Sequence, residues 1–136
     1  MRFMMLMYPG PAAEAGTMPN AEIIAAMMKY NEEMANAGVL ISLDGLQPSA
    51  KGARIAFSDG KTTVTDGPFT ESKEVLGGYW MIQVNSKDEA VAWARKAPAL
   101  GGEMIEVRQV FEMSDFPEEV RDEEAEKRVS ESLGVK

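Results

Sequence analysis

The chain opens with a run from Phe3 to Tyr8 in which every position is apolar. Such a run is typical of a central β-strand that is buried on both faces. The stretch that follows, residues 9–17, is rich in Pro, Gly and Ala and is predicted to be a loop. The sequence therefore predicts a first strand whose two faces both need a covering partner.

A helical pattern follows this loop. Asn20 is a suitable N-cap, the pattern continues to about Ala37, and Gly38 takes the C′ position. The apolar side of the predicted helix consists of Ile23, Met27, Tyr30 and Met34. A row of methionines can form a pliable ligand surface, but at helical spacing such a row more often packs in the core.

Five strands and a second helix complete the pattern. Asp59-Gly60 separates two β-prone runs and suits the type I′ turn of a β-hairpin. Ser86 and Glu89 have the spacing of a capping box and predict a second helix, which Pro98 ends. The predicted strands after the first helix are residues 39–43, the hairpin strands 54–58 and 61–65, and residues 79–84 and 103–111.

The order of these elements predicts an α+β fold. Two βαβ halves with both helices on one sheet face define the ferredoxin-like βαββαβ arrangement, here with an inserted β-hairpin. A doubly wound parallel sheet is the competing arrangement, and it would need more helices between the strands. Because both helices cover one face, one of the two alternating apolar sets of the first strand would be exposed on the other face: either Phe3, Met5 and Met7, or Met4, Leu6 and Tyr8. We therefore expect a homodimer in which a second copy covers them.

Composition narrows the classes of function. The chain has 136 residues, a net charge of −8, no Cys and no His. The negative charge argues against nucleic acid and anionic membrane surfaces as partners. Without Cys or His, thiolate chemistry, a His-dependent triad and a zinc site are excluded. Any metal would be a hard cation on carboxylates, and we predict none.

The same sequence indicates a cytoplasmic protein without a nucleotide cofactor. No apolar run approaches the roughly 20 residues that span a bilayer, and the opening run is shorter than a signal-peptide core. The pairs Gly77-Gly78 and Gly101-Gly102 are isolated, so neither forms a phosphate-binding fingerprint. No cofactor is therefore expected.

The C-terminal segment differs in composition from the rest. We expect one domain over residues 1–113 and a charged tail, helical in part, over residues 114–136. From Glu118 to Lys136 the tail carries seven acidic and four basic residues. Two interpretations stay open: a solvated terminal helix, or a helix that clasps the partner subunit.

The densest polar cluster is residues 66–74, hereafter the hallmark loop, with the sequence Asp66-Gly67-Pro68-Phe69-Thr70-Glu71-Ser72-Lys73-Glu74. Together with the Leu76-Gly77-Gly78-Tyr79 that follows, it resembles the hallmark segment of the DGPF family, part of the YCII-like superfamily. Further matches are Ala37-Gly38-Val39, Gly45-Leu46-Gln47-Pro48, Asp59-Gly60-Lys61 and Glu106-Val107-Arg108. The resemblance covers roughly residues 1–111 and leaves the tail outside.

This resemblance implies a ferredoxin-like fold and homodimers related to the dimeric α+β barrels. It implies no general activity. For the superfamily, a His–Asp pair has been suggested as the active site. Aligned on Gly38, Met27 takes the position of that His, so the pair does not transfer to this chain. Some relatives lie near, or are fused to, sigma factors of the extracytoplasmic-function type, which implies a regulatory alternative.

Two functions follow as hypotheses. The first is a small-molecule enzyme or binder, with a pocket between the sheet and the hallmark loop. Its predicted catalytic residues are Asp66, Lys73 and Glu74, as acid, base or anion-stabilising groups. Its predicted ligand-binding residues are Tyr30, Glu71, Tyr79 and Arg108.

For several of these residues a structural role is the alternative. Asp66 is suited to forming a turn, and Lys73 can pair with Glu71 or Glu74 at the surface. The second hypothesis is a non-catalytic regulatory or protein-interaction module, which the missing His and Cys and the charged tail favour.

Overall fold

A computed structural model describes residues 1–70 and 74–134. Within these ranges, six strands and four α-helices form a mixed α+β fold with two antiparallel sheets. The α+β class predicted from the sequence is confirmed. The strands are β1 (Arg2–Tyr8), β2 (Leu40–Gly45), β3 (Ala53–Ser58), β4 (Lys61–Asp66), β5 (Gly78–Gln83) and β6 (Met104–Gln109). The helices are α1 (Pro11–Glu14), α2 (Ala21–Asn36), α3 (Lys87–Arg95) and α4 (Glu123–Ser132).

The main sheet has the strand order β2-β5-β1-β6, and every neighbouring pair is antiparallel. Helix α2 connects β1 to β2, and α3 connects β5 to β6. In the centre of the sheet, Met5 lies opposite Trp80 on one side and Val107 on the other. The antiparallel pairing rules out the doubly wound parallel arrangement.

The core lies between the two connecting helices and one face of this sheet. Its buried strand residues are Phe3, Met5, Trp80 and Ile82, and its buried helix residues are Tyr30, Met34 and Ala90. The Tyr30 ring packs edge-on against Trp80, with ring centres 5.7 Å apart. Met34 is buried and Met27 packs against the core, as helical spacing indicates, whereas Met28 is 67% exposed.

On the opposite face of the sheet, apolar side chains stay partly exposed. Met4, Leu6 and Tyr8 of β1 are only half-buried, and so are their cross-strand neighbours Tyr79 and Met81. Strand β1 therefore presents apolar side chains on both of its faces, as its uninterrupted apolar run predicts.

Strands β3 and β4 form a separate two-stranded sheet in which every residue is exposed. Asp59 and Gly60 both have positive φ angles, 50° and 76°, so the predicted type I′ turn is confirmed. One side of this hairpin carries Ile55 opposite Val64, with Phe57 beside them. Phe57 is 79% exposed.

The helix starts also follow the sequence signals. The Asn20 side chain accepts a hydrogen bond from the Ile23 amide, and the Ser86 side chain accepts one from the Glu89 amide. Residues 9–17, predicted to be a loop, contain the one-turn helix α1 instead. Pro11 occupies its first turn, where a fixed φ angle favours a helical start.

Helix α4 begins at an Asp122 cap and has no buried residue. None of the helices in the described ranges is long and apolar enough to cross a membrane.

Candidate functional site

The hallmark loop is attached to the rest of the chain through Ser49. This serine is buried, and its hydroxyl accepts a hydrogen bond from the Phe69 amide at 3.0 Å. The same hydroxyl donates to the carboxylate of Glu14, which also accepts from the Ser49 amide at 2.7 Å. The Gly67 amide donates to the Gly52 carbonyl at 3.0 Å. These contacts, hereafter the Ser49 clasp, join α1, the turn after β2 and the hallmark loop.

A positive charge lies beside this clasp, and a negative charge lies within it. The Arg54 guanidinium lies 3.8 Å from the centre of the Phe69 ring, close enough for a cation–π contact. The hydrogen bonds from Ser49 lower the pKa of the Glu14 carboxyl, and the charge of Arg54 lowers it further. Nothing in the sequence marks Glu14 as a partner of the hallmark loop, whereas Ser49 directly follows a segment that carries the family resemblance.

A cavity of about 390 Å³, hereafter the hallmark cavity, lies beside the clasp. Phe69 and Glu74 line it from the hallmark loop, and Lys51 and Arg54 line it from the other side. Most of its walls are exposed residues, including Leu46, which is 56% exposed. These walls belong to turns and to the base of the hairpin.

A second cavity, hereafter the helix–sheet cavity, lies between α2 and the sheet and has a volume of about 230 Å³. Its apolar walls are the half-buried Met7, Met27 and Leu43 and the buried Trp80. Gly78 also lines it, where a Cβ atom would come within 2.8 Å of the Asp44 carbonyl oxygen. A side chain at this position would therefore push β2 and β5 apart.

The polar side chain on the helix side of this cavity is Asn31. Its Oδ1 accepts a hydrogen bond from the Trp80 indole at 2.7 Å. Asp44 and Tyr79 also line the cavity, but they lie opposite each other in the strand register, one position away from the Leu43–Trp80 pair. Their side chains therefore leave the other face of the sheet, where the Tyr79 hydroxyl donates to the Asp44 carboxylate at 3.2 Å.

Three of the predicted ligand-binding residues, Tyr30, Tyr79 and Arg108, do not line the hallmark cavity. Tyr30 is in the core, and its hydroxyl donates to the Trp93 carbonyl at 2.6 Å. Burial raises the pKa of the Tyr30 phenol to about 12. Arg108 is on the partly exposed sheet face with Tyr79, where it lies 3.7 Å from the Glu106 carboxylate.

The predicted catalytic residues are not brought together with these. Asp66 ends β4 as an exposed residue opposite Ala53, and Glu74 lines the hallmark cavity. Glu71 and Lys73 lie outside the described residues. Glu74 and Tyr79 thus line two different cavities. Among the described residues, no group of three acidic side chains is placed to hold a metal ion.

The fold and these cavities describe a small α+β protein with a pre-formed space between sheet and helix. The model of the YCII-related domain matches residues 1–114, so the chain belongs to the YCII-related family. An uncharacterized protein of Rhizobium meliloti (strain 1021) is 33% identical over 100 residues, which cover 71% of this chain and 77% of that protein. Neither the family description nor this relative supplies a reaction.

Proposed function

We propose that this protein is an enzyme-like homodimer that binds a small organic molecule in the helix–sheet cavity of each subunit. The observation that carries this proposal is the construction of the cavity walls. They are side chains of α2, β1, β2 and β5 that are packed into or against the core, among them the buried Trp80. Such walls keep their shape without a ligand, and pre-formed, mostly apolar cavities are the usual small-molecule sites.

Two further points favour this cavity over the larger hallmark cavity. The hallmark cavity is lined mainly by exposed residues of turns and of the hairpin base, whose positions fewer packing contacts fix. In addition, Met27 lines the helix–sheet cavity, and the family resemblance aligns this position with the suggested superfamily His. The ligand of this chain would therefore meet a thioether where relatives present an imidazole.

The proposal keeps the predicted roles of the hallmark-loop residues but assigns them to the hallmark cavity, not to the helix–sheet cavity. Asp66, Lys73 and Glu74 would act on a ligand only where it reaches the hallmark cavity, which Glu74 lines. Tyr79 borders the helix–sheet cavity, but its side chain leaves the other face of the sheet, so its role in ligand binding stays a prediction. The roles of Glu71, Tyr30 and Arg108 stay predictions.

We also propose the ferredoxin-like fold, membership of the DGPF family and the sheet-to-sheet dimer. The strand order β2-β5-β1-β6, with one helix in each crossover, supports the fold. The run Asp66-Gly67-Pro68-Phe69 supports the family. The half-buried Met4, Leu6 and Met81 support the dimer, because a second copy of this face would remove them from water.

The alternative is a non-catalytic regulatory or protein-interaction module. The observation in its favour is helix α4, which is acidic and has no buried residue, so that its surface is free for a protein partner. A module that acts only on a sigma-factor-linked partner, of the kind that the resemblance implies, needs no small-molecule ligand in the helix–sheet cavity.

Native mass spectrometry of the purified protein tests the proposal. We expect a dimer that retains a small molecule. Met27→Trp fills the helix–sheet cavity and should abolish the retained mass. Met28→Trp is the matched control, because Met28 is the next residue of the same helix and is 67% exposed. An empty dimer from both the wild type and Met28→Trp would favour the regulatory alternative, and a monomer would overturn the dimer.

A further inference from the structure

We infer that Asn31 is the hydrogen-bond donor that recognises the ligand of the helix–sheet cavity, and that this ligand is a small, uncharged, largely apolar molecule with a carbonyl oxygen. The inference rests on the proposed function, since it names the chemical class that the same cavity would accept. It follows from the orientation of one amide group.

The Trp80 indole fixes that orientation. An indole nitrogen can only donate a hydrogen bond, so the Asn31 atom that it meets at 2.7 Å must be the carbonyl oxygen. The amide nitrogen of Asn31 then points away from Trp80. A flip of the amide would place two donors against each other and would lose this hydrogen bond. Trp80 is itself held in the core by the edge-on contact with Tyr30.

The amide nitrogen of Asn31 is available to a ligand. Among the described residues, no group accepts a hydrogen bond from it, and no buried side-chain nitrogen or oxygen lacks a partner. The nitrogen therefore is not sealed in the core, and Asn31 lines the helix–sheet cavity. An NH₂ group of this kind has two donors and no acceptor, so it selects a ligand atom that accepts.

The remaining walls set the charge and polarity of the ligand. Met7, Met27 and Leu43 surround Asn31 with apolar surface. The carboxylate of Asp44 is engaged by the Tyr79 hydroxyl on the other face of the sheet. An ionic ligand would lose its hydration here without meeting an opposite charge. A ketone, aldehyde, amide or ester with a compact hydrocarbon body fits both the Asn31 NH₂ group and the apolar walls.

The test compares two probes of the same shape, cyclohexanone and methylenecyclohexane, which differ in carrying an oxygen or a CH₂ group at the double bond. Binding to ¹⁵N-labelled protein is followed through the Asn31 side-chain signals and the Trp80 indole signal. Only two tryptophans are present, so Trp93→Phe assigns the indole signal. We expect both probes to shift these signals. Because a ketone loses more hydration than an alkene on binding, the quantity to compare is the ratio of the two affinities, which should favour cyclohexanone roughly three- to tenfold more in the wild type than in a variant without the amide donor.

Asn31→Asp separates recognition from packing. An aspartate can still accept the Trp80 hydrogen bond, but it has no NH₂ group to offer, so the affinity ratio should shift toward methylenecyclohexane by that factor. Trp80→Phe is the second variant, for the case that a carboxylate at position 31 prevents folding. Without the indole, either amide atom can face the cavity, so the ratio should shift in the same direction but by less than in Asn31→Asp.

The outcomes test the role of Asn31 and the proposed small-molecule site separately. An affinity ratio that is the same in the wild type and in Asn31→Asp would overturn the role of Asn31 and leave the cavity as a small-molecule site. Where Asn31→Asp does not fold, an unchanged ratio in Trp80→Phe would overturn it. If neither probe shifts any signal of the cavity residues, both the role of Asn31 and the proposed function are wrong.

Discussion

A Cβ atom on Gly67 would overlap the carbonyl oxygen of Ser49, which lies against the hallmark loop at this point. The glycine of the Asp-Gly-Pro-Phe run is therefore required by a close approach of two backbone segments. Two hydrogen bonds hold the segments at this distance: the Gly67 amide donates to the Gly52 carbonyl, and the Phe69 amide donates to the Ser49 hydroxyl. The polar hallmark loop is thus an attachment point between the hairpin and the rest of the fold.

Gly67→Ala should destabilise the protein by about 3 kcal/mol, because the added methyl group meets backbone that cannot move without breaking the Ser49 clasp. Urea unfolding followed by circular dichroism measures this difference. Gly52→Ala is the matched control, since a Cβ there would lie 3.6 Å from the same Ser49 oxygen, an ordinary contact. Equal unfolding midpoints for the two variants would show that the hallmark loop yields to the added group.

Glu14→Gln should reduce stability at neutral pH and change its dependence on acid. Hydrogen bonds from Ser49 lower the pKa of Glu14 in the folded protein. The stability that the carboxylate contributes is therefore present above its ordinary pKa and is lost as the pH falls through the lowered value. Urea midpoints of the wild type and the variant should differ at about pH 7, and the difference should shrink as the pH is lowered to about 3.

The control for this pH dependence is Glu33→Gln, which changes an exposed carboxylate of α2 in the same way. Its urea midpoints should stay close to those of the wild type at both pH values. A Glu14→Gln protein that keeps its deficit unchanged at about pH 3 would contradict the proposed role of the charge.

Tyr30→Phe should cost about 1–2 kcal/mol, because it leaves the Trp93 carbonyl without its partner. The variant should also lose less stability than the wild type as the pH becomes alkaline. Burial raises the pKa of Tyr30 to about 12, so the phenol ionises first in the unfolded chain, and stability falls as the pH rises above about 10. Thermal unfolding at about pH 7 and about pH 11 measures both effects.

Tyr79→Phe is the comparison for this prediction, since its hydroxyl donates to the exposed Asp44 at the longer distance of 3.2 Å. Its effect on stability should be smaller at both pH values. If Tyr30→Phe and Tyr79→Phe lower the stability equally at both pH values, the hydrogen bond from Tyr30 to the Trp93 carbonyl contributes no more than an exposed one.

Secondary structure was largely predictable because local chemistry determines it. The Asn20 and Ser86 caps, the Asp59-Gly60 turn and the apolar run of β1 each act within a few residues. The short helix α1 was missed, because Pro and Gly residues around it give the signal of a loop.

The sites were harder to predict, since they depend on residues that are distant in sequence. Glu14 and Ser49 are 35 positions apart, and so are Asp44 and Tyr79. Asn31 appears as one more polar residue of an amphipathic helix until its contact with Trp80 is known. Residue type selected Asp66, Glu74 and Tyr30 as candidates, but the fold distributes them among a strand end, the hallmark cavity and the core.

Leu6→Lys tests the sheet-to-sheet dimer. Leu6 is in the centre of the partly exposed face, opposite Tyr79 and Glu106 in neighbouring strands. A lysine there would replace apolar surface with an ammonium group in each subunit, and covering this face with a second copy would then cost the hydration of both groups. We expect the variant to be a monomer by sedimentation velocity. It should remain folded, because Phe3 and Met5, which pack in the core, point the other way.

Phe57→Lys is the matched control, because it places the same charge on the other exposed apolar surface, the hairpin. A dimer that survives Phe57→Lys and dissociates in Leu6→Lys locates the interface on the main sheet. The reverse result would locate the interface on the hairpin. A second subunit that covered this two-stranded sheet would remove the exposed Ile55 and Val64 from water, which also stabilises a dimer. Dissociation in both variants would mean that the hairpin of one subunit reaches the sheet of the other, and the cavities would then lie close to a shared interface.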